Sequence, residues 1–186
     1  MTIGIAVVAA LAVGVAAGWW LPPHGRRPAV VTGPAVRRIL LPFAGASISR
    51  RALEAAIRLA KAENAVIMPA FLARVPRRLP LDAPLSMQCE RGIPVLEAIT
   101  QRATAQGVVV DSRVARGRSY RDALEHLLDE EQFDRIIVSA TANPHTGLSK
   151  RDLEWLLERV PAEVLILRPA PADERRISAA GVIGHF

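Results

Sequence analysis

Cysteine is nearly absent. Cys89 stands alone in 186 residues, so no disulfide can form within the chain. A reducing compartment is compatible with that, and Cys89, beside Glu90 and Arg91, reads as an inert thiol. The four histidines, His24, His126, His145 and His185, have no metal-ligand spacing with one another or with Cys89, so no metal is expected. No serine stands in a G-x-S-x-G setting; Ser47, Ser49, Ser139 and Ser149 all lack it. His145 falls in Asn143-Pro144-His145, a sequence that builds turns. Asp111 and Glu163 have no evident partner. No catalytic constellation emerges, and the chain is read as a non-enzyme.

Lysine is scarce too: Lys61 and Lys150 are the only two among 24 basic residues, and the rest are arginine. The formal net charge is +6 and the pI is about 10.8. That balance favours anionic partners: lipid head groups, nucleotides or nucleic acid. Arg74, Arg77 and Arg78 form the densest basic loop, but the aromatic platforms that single strands stack on are missing there. Nucleic acid is therefore not expected.

Charge is missing altogether from residues 3–21, IGIAVVAALAVGVAAGWWL. At about 1.5 Å per helical residue this run matches a ~30 Å hydrocarbon core. Trp19 and Trp20 sit where an aromatic belt forms, and Pro22 and Pro23 stop the helix. A cleaved signal peptide is the competing reading. It would want basic residues before the run and a shorter apolar core. Arg26, Arg27, Arg37 and Arg38 follow the span. The positive-inside rule then keeps the C-terminal side in the cytoplasm. The expectation is a single-pass anchor, residues 1–22, in the cytoplasmic (inner) membrane, with the lipid bilayer as a partner. Gly14 and Gly18 form G-x-x-x-G and Ala10 extends it by one turn, a face on which two such helices can dimerise.

Residues 23–37 are basic and rich in Pro and Gly, which reads as a tether. Beyond it, short apolar runs alternate with helical spacing. Strands are expected at 39–41, 65–72, 108–114, 133–138 and 164–167. Helices are expected over 49–63, over about 95–105 with Pro94 restricting the start, after Ser119, and from about Lys150 to Pro161. Ser119 with Asp122, and Ser149 with Asp152, are capping pairs. Alternation of this kind predicts an α/β fold: a five-stranded, mostly parallel open sheet with helices on both faces. Residues 169–186 lack a clear period and read as a flexible tail.

Three stretches carry a family resemblance. ILLPFAGASISRRALEAAIRLAKAENAVI has a strand, a Pro, a short Gly turn and an Ala/Leu-rich helix. RVARGRSYRDALEHLLDEEQFDRIIVSA places Gly117, Asp134 and Ile136-Ile137-Val138 in order. HTGLS leads through a helix to AEVLILRP. Residues 38–168 thereby resemble the universal stress protein family. The resemblance implies a Rossmann-like open sheet, often dimeric through its last strand, and a homodimer with a further protein partner is expected.

Nucleotide-binding members carry G-x2-G-x9-G-[ST] after the fourth strand of the sheet, where bare backbone meets phosphate. Aligned by IIVSA, this chain offers Ser139 and Ala142 for the first two glycines, then Asp152 and Leu153. Aligned by GLS, it offers Thr141 and Pro144, then Glu154 and Trp155. Ala44 stands where such members usually have an Asp that touches the nucleoside. No cofactor is expected. What remains is a small anion site built from Gly45, Ser47, Thr146, Gly147, Ser149 and Lys150. Two functions follow: a membrane-anchored stress-response domain that acts by protein association with a degenerate nucleotide site, or a sensor that binds ATP or AMP through an altered phosphate loop.

Overall fold

The computed structural model describes residues 37–140, 148–168 and 176–178. The expected anchor, and the tether up to residue 36, lie outside them. Among the described residues no helix is long and apolar enough to cross a membrane.

In chain order the elements are β1 (Arg38–Phe43), β2 (Ser47–Ser49), α1 (Arg50–Glu63), β3 (Val66–Arg74), α2 (Ser86–Thr104), β4 (Arg113–Gly117), α3 (Tyr120–Glu130), β5 (Arg135–Ser139), α4 (Lys150–Arg159), β6 (Glu163–Leu167) and β7 (Arg176–Ser178). Five strands form one parallel sheet in the order β4-β3-β1-β5-β6. This is the expected α/β architecture.

Successive strand residues point to opposite faces, and both faces are buried. Ile39, Leu41, Ile67, Phe71 and Ile137 join a core under α1 and α2. Leu40, Met68, Leu72, Ile136 and Val138 join a second core under α3 and α4. Three of the four helices, α1, α3 and α4, begin where a serine side chain satisfies a free backbone N–H group. Ser49 Oγ accepts from Ala52 N–H at 3.4 Å, and Ser119 Oγ from Asp122 N–H at 3.0 Å. α1 closes on Asn64 in the left-handed region.

Three local expectations need correction. α2 does not start near Pro94; it begins at Ser86 and runs through that proline. Tertiary contacts offset the lost backbone bond. Gln88 clamps the end of β3 twice, donating from Nε2 to Arg74 O at 2.7 Å and accepting from Arg74 N–H at 3.0 Å. Val95, Leu96, Ala98, Ile99 and Ala103 then bury the second half.

The strand expected over 108–114 is broken. Ile67 N–H donates to Val109 O at 3.0 Å and Asp111 N–H to Ile67 O at 2.9 Å. The next donor in that series on β3 would be residue 69, which is Pro69 and has no N–H. The ladder resumes at Ala70↔Arg113 and runs to Arg74↔Gly117. A proline of its own also shapes β1, which passes the expected Leu41 and reaches Phe43, while its registered pairing with β5 stops at Leu40, before Pro42.

The third correction concerns the tail. Residues 176–178, expected to lack regular structure, form β7 and pair antiparallel with β2.

Candidate functional site

In an open parallel sheet, ligands meet the carboxyl ends of the strands where the winding reverses. Here the chain leaves β1 toward β3 and later crosses to β5, so the reversal lies between β1 and β5. The loop after β1 carries Gly45 and Ser47; the start of α4 carries Ser149 and Lys150. The topology brings those four to one sheet edge. Thr146 and Gly147 lie outside the described residues.

Ala44, the residue just after β1, is buried at 3% exposure. Gly45 follows with φ +78° and open space around it, so the turn depends on its backbone freedom rather than on tight packing. Ser47 then enters β2 and pairs with Ser178.

On the β5 side, Ser139 ends the strand, and its Oγ is buried with no hydrogen-bond partner. Ala140 N–H donates to Leu167 O at 2.9 Å and ties the strand end to β6. At the α4 start, one carboxylate dominates. Asp152 Oδ2 accepts from Ser149 N–H at 2.8 Å and from Ser149 Oγ–H at 2.7 Å, and Ser149 Oγ accepts from Asp152 N–H at 3.3 Å. This is a complete capping box. A phosphate at this helix start would have to displace an anion already bonded there. Lys150 points into solvent, 92% exposed, and its nearest partner is Glu154 at 3.7 Å.

Two grooves escaped the sequence. One of about 370 Å³ lies between α1 and the carboxyl end of β6, lined by Arg51, Glu54, Ala55, Arg58, Leu167 and Arg168. The only signal for it was the seven-residue spacing of Arg51 and Arg58, which shares a helix face. A larger one, about 790 Å³, opens between α3 and α4, where Arg121 stacks over Trp155 at 4.8 Å. Among the described residues, no group of three His, Cys, Asp or Glu could hold a metal ion.

The Arg50 hydrogen bond holds the Glu54 carboxyl, in the smaller groove, below its ordinary range; the other perturbed titrations lie at the opposite ends of the strands. The Arg37 hydrogen bond, with Arg135 adding to it, holds the Glu63 carboxyl below its ordinary range. Glu163 raises Arg135 in turn. These groups belong to one of two clusters of ion pairs along the amino ends of the strands. The first includes Arg37–Glu63 at 3.0 Å and the Arg135–Glu63 pair, the second Arg113–Glu131 at 3.2 Å and the Arg38–Glu131 pair. The arrangement ties strand ends together and offers no acid–base chemistry at the candidate site.

The universal stress protein family matches residues 35–168. A crystal structure of a protein of that family from Burkholderia pseudomallei is 25% identical, covers 74% of this chain and 99% of its own, and superposes with a TM-score of 0.57. A universal stress protein in complex with cAMP is 22% identical over 73% of this chain and 98% of its own, with a TM-score of 0.51. One from Archaeoglobus fulgidus in complex with dAMP is 15% identical over 70% and 96%, with a TM-score of 0.52. The last two show the fold alone. None of the curated proteins matches the chain significantly.

Proposed function

Because the chain belongs to the universal stress protein family, we propose that it serves the stress response as a membrane-anchored domain that works by protein association. The observation that carries this is β6. It forms one edge of the sheet. It is apolar along most of its length, and Ile166 is 39% exposed. An uncovered apolar edge is a template for a second strand. Association through it gives a homodimer, and a further protein partner docks on the assembled domain. The uncharged run at 3–21 supplies the anchor and holds copies in one cytoplasmic membrane, which raises their effective concentration.

The nucleotide site is read as degenerate. Asp152 fills the α4 start, and Ala44 offers no carboxylate to a ribose. Neither residue fits the group that the cAMP and dAMP complexes hold. The test is self-association of the full-length protein against Ile166→Lys. We expect a dimer that the variant loses, with unchanged circular dichroism. A monomer at membrane-like density would end this reading.

One observation favours a nucleotide-sensing alternative. Ser139 Oγ is buried without a partner at the carboxyl end of β5, a position from which a ligand could satisfy it. Thermal shifts with ATP, ADP, AMP and cAMP decide between the two. A rise of several degrees with any of them selects the sensor.

A further inference from the structure

The family match ends at Arg168, yet the chain supplies one more strand. β7 pairs antiparallel with β2: Ser47↔Ser178, Ile48↔Ile177 and Ser49↔Arg176. β2 lies between the carboxyl end of β1 and the first turn of α1, and both β2 and β7 lie against α2. The two form a ribbon separate from the main sheet.

The two partners are held differently. Ile48 is buried in the core at 4% exposure and Ser49 caps α1. β2 is therefore held by the core and by α1 in addition to its pairing with β7. A ribbon of three pairs is marginal by itself, so β7 is the exchangeable member. Backbone hydrogen bonds supply affinity when a strand adds to an exposed edge. Seven residues, 169–175, separate Arg168 from β7. Extended, they reach roughly 25 Å. β1 and β6 are two strand spacings apart, about 10 Å. The connector thus has length to spare beyond what its own β2 requires.

We propose that β2 is a strand-docking site, plugged in cis by residues 176–178, and that its partner is the same segment of a second copy. Exchange of an identical element makes the same backbone contacts in trans as in cis. The balance then depends on effective concentration alone. Trans docking follows when copies are already held together, so this inference rests on the association proposed above.

Oxidative cross-linking of the full-length protein in a Cys89→Ala background tests it. Antiparallel partners sit about 4.5–5.5 Å apart at Cα, within disulfide reach. A chain carrying both Ser47→Cys and Ser178→Cys is expected to cross-link. An equimolar mixture of single Ser47→Cys and single Ser178→Cys chains is expected to give mixed dimers at least fivefold above an off-register mixture of Ala46→Cys with Ser178→Cys. Failure of the double variant to cross-link at all overturns the docking site. Closure only within one chain, with no excess of mixed dimers, overturns the second-copy partner. Sedimentation of the unmodified protein separates the two proposals. Self-association without mixed cross-links sinks the exchange and leaves association standing. Mixed cross-links that persist in Ile166→Lys support the exchange and remove β6 as its route.

Discussion

Gly92 allows a sharp test of how α2 sits on the sheet. A Cβ built there would lie 2.3, 2.4 and 2.5 Å from three atoms at the tip of the Phe71 ring. Ordinary carbon contacts need about 3.5–4.0 Å, so a methyl group is short of room by more than ~1 Å. The ring has little freedom to retreat. Phe71 is 2% exposed and packs against Phe43 with centroids 5.6 Å apart. Two effects compete in Gly92→Ala. Helix propensity favours alanine by roughly 0.5–1 kcal/mol. Overpacking costs about 1–3 kcal/mol. Overpacking wins, and a net loss of about 1–2 kcal/mol is expected, or ~2–6 °C in Tm for a domain of this size. Phe71→Leu alone also destabilises, by leaving a gap beside Phe43. Made together, the two changes relieve each other, with a coupling of roughly 1 kcal/mol. Urea denaturation followed by circular dichroism measures all four corners of the cycle. If Gly92→Ala stabilises the protein, or if the two changes simply add, then the close approach of α2 to Phe71 is wrong.

Gly117→Ala should be costlier, about 3 kcal/mol or more, because the new Cβ would meet the Ala123 backbone N at 2.2 Å and no side chain can turn aside. Gly107→Ala is its control: φ is +76° with open space, so thermal denaturation should show only the roughly 1 kcal/mol of a left-handed alanine. Asp152→Ala removes half of the α4 capping box and should cost about 1 kcal/mol. Ser149→Ala added to it should cost little more, since the two residues act as one unit; a fully additive pair would show that they do not. Glu63 titrates below its ordinary 4.5 because Arg37 and Arg135 favour its ionised form. A carboxyl lowered in the folded state contributes stability above the unfolded value and loses it as pH falls through the folded one. The stability gap between the wild type and Glu63→Gln should therefore be full near neutrality and shrink below about pH 4.5; a gap that is constant with pH would remove Glu63 from the acid response.

The start of α4 was legible because its signals are short in range. Ser149 and Asp152 are three residues apart, and the box they form needs nothing from elsewhere. Asp122 shows the limit: its N–H binds Ser119 as the spacing implies, but its carboxylate takes the Arg118 N–H instead. The arginine groove beside β6 was illegible, since Arg168 meets Arg51 and Arg58 only after three crossovers have placed β6 beside α1.

Residue order alone determined the alternation of strand and helix, the serine caps at Ser119 and Ser149 and the two-sided burial of the strands. Each depends on periodicity or on bonds spanning a few residues, so no distant partner is needed. Tertiary structure decided where the strand expected over 108–114 is interrupted ahead of β4, because the missing donor is Pro69, on the strand opposite. It also decided that α2 continues through Pro94, and that a tail with no pattern of its own becomes a strand. A strand or a strained helix exists only when another part of the chain supplies the hydrogen bonds or the packing. Which part does so is settled when the backbone folds back on itself.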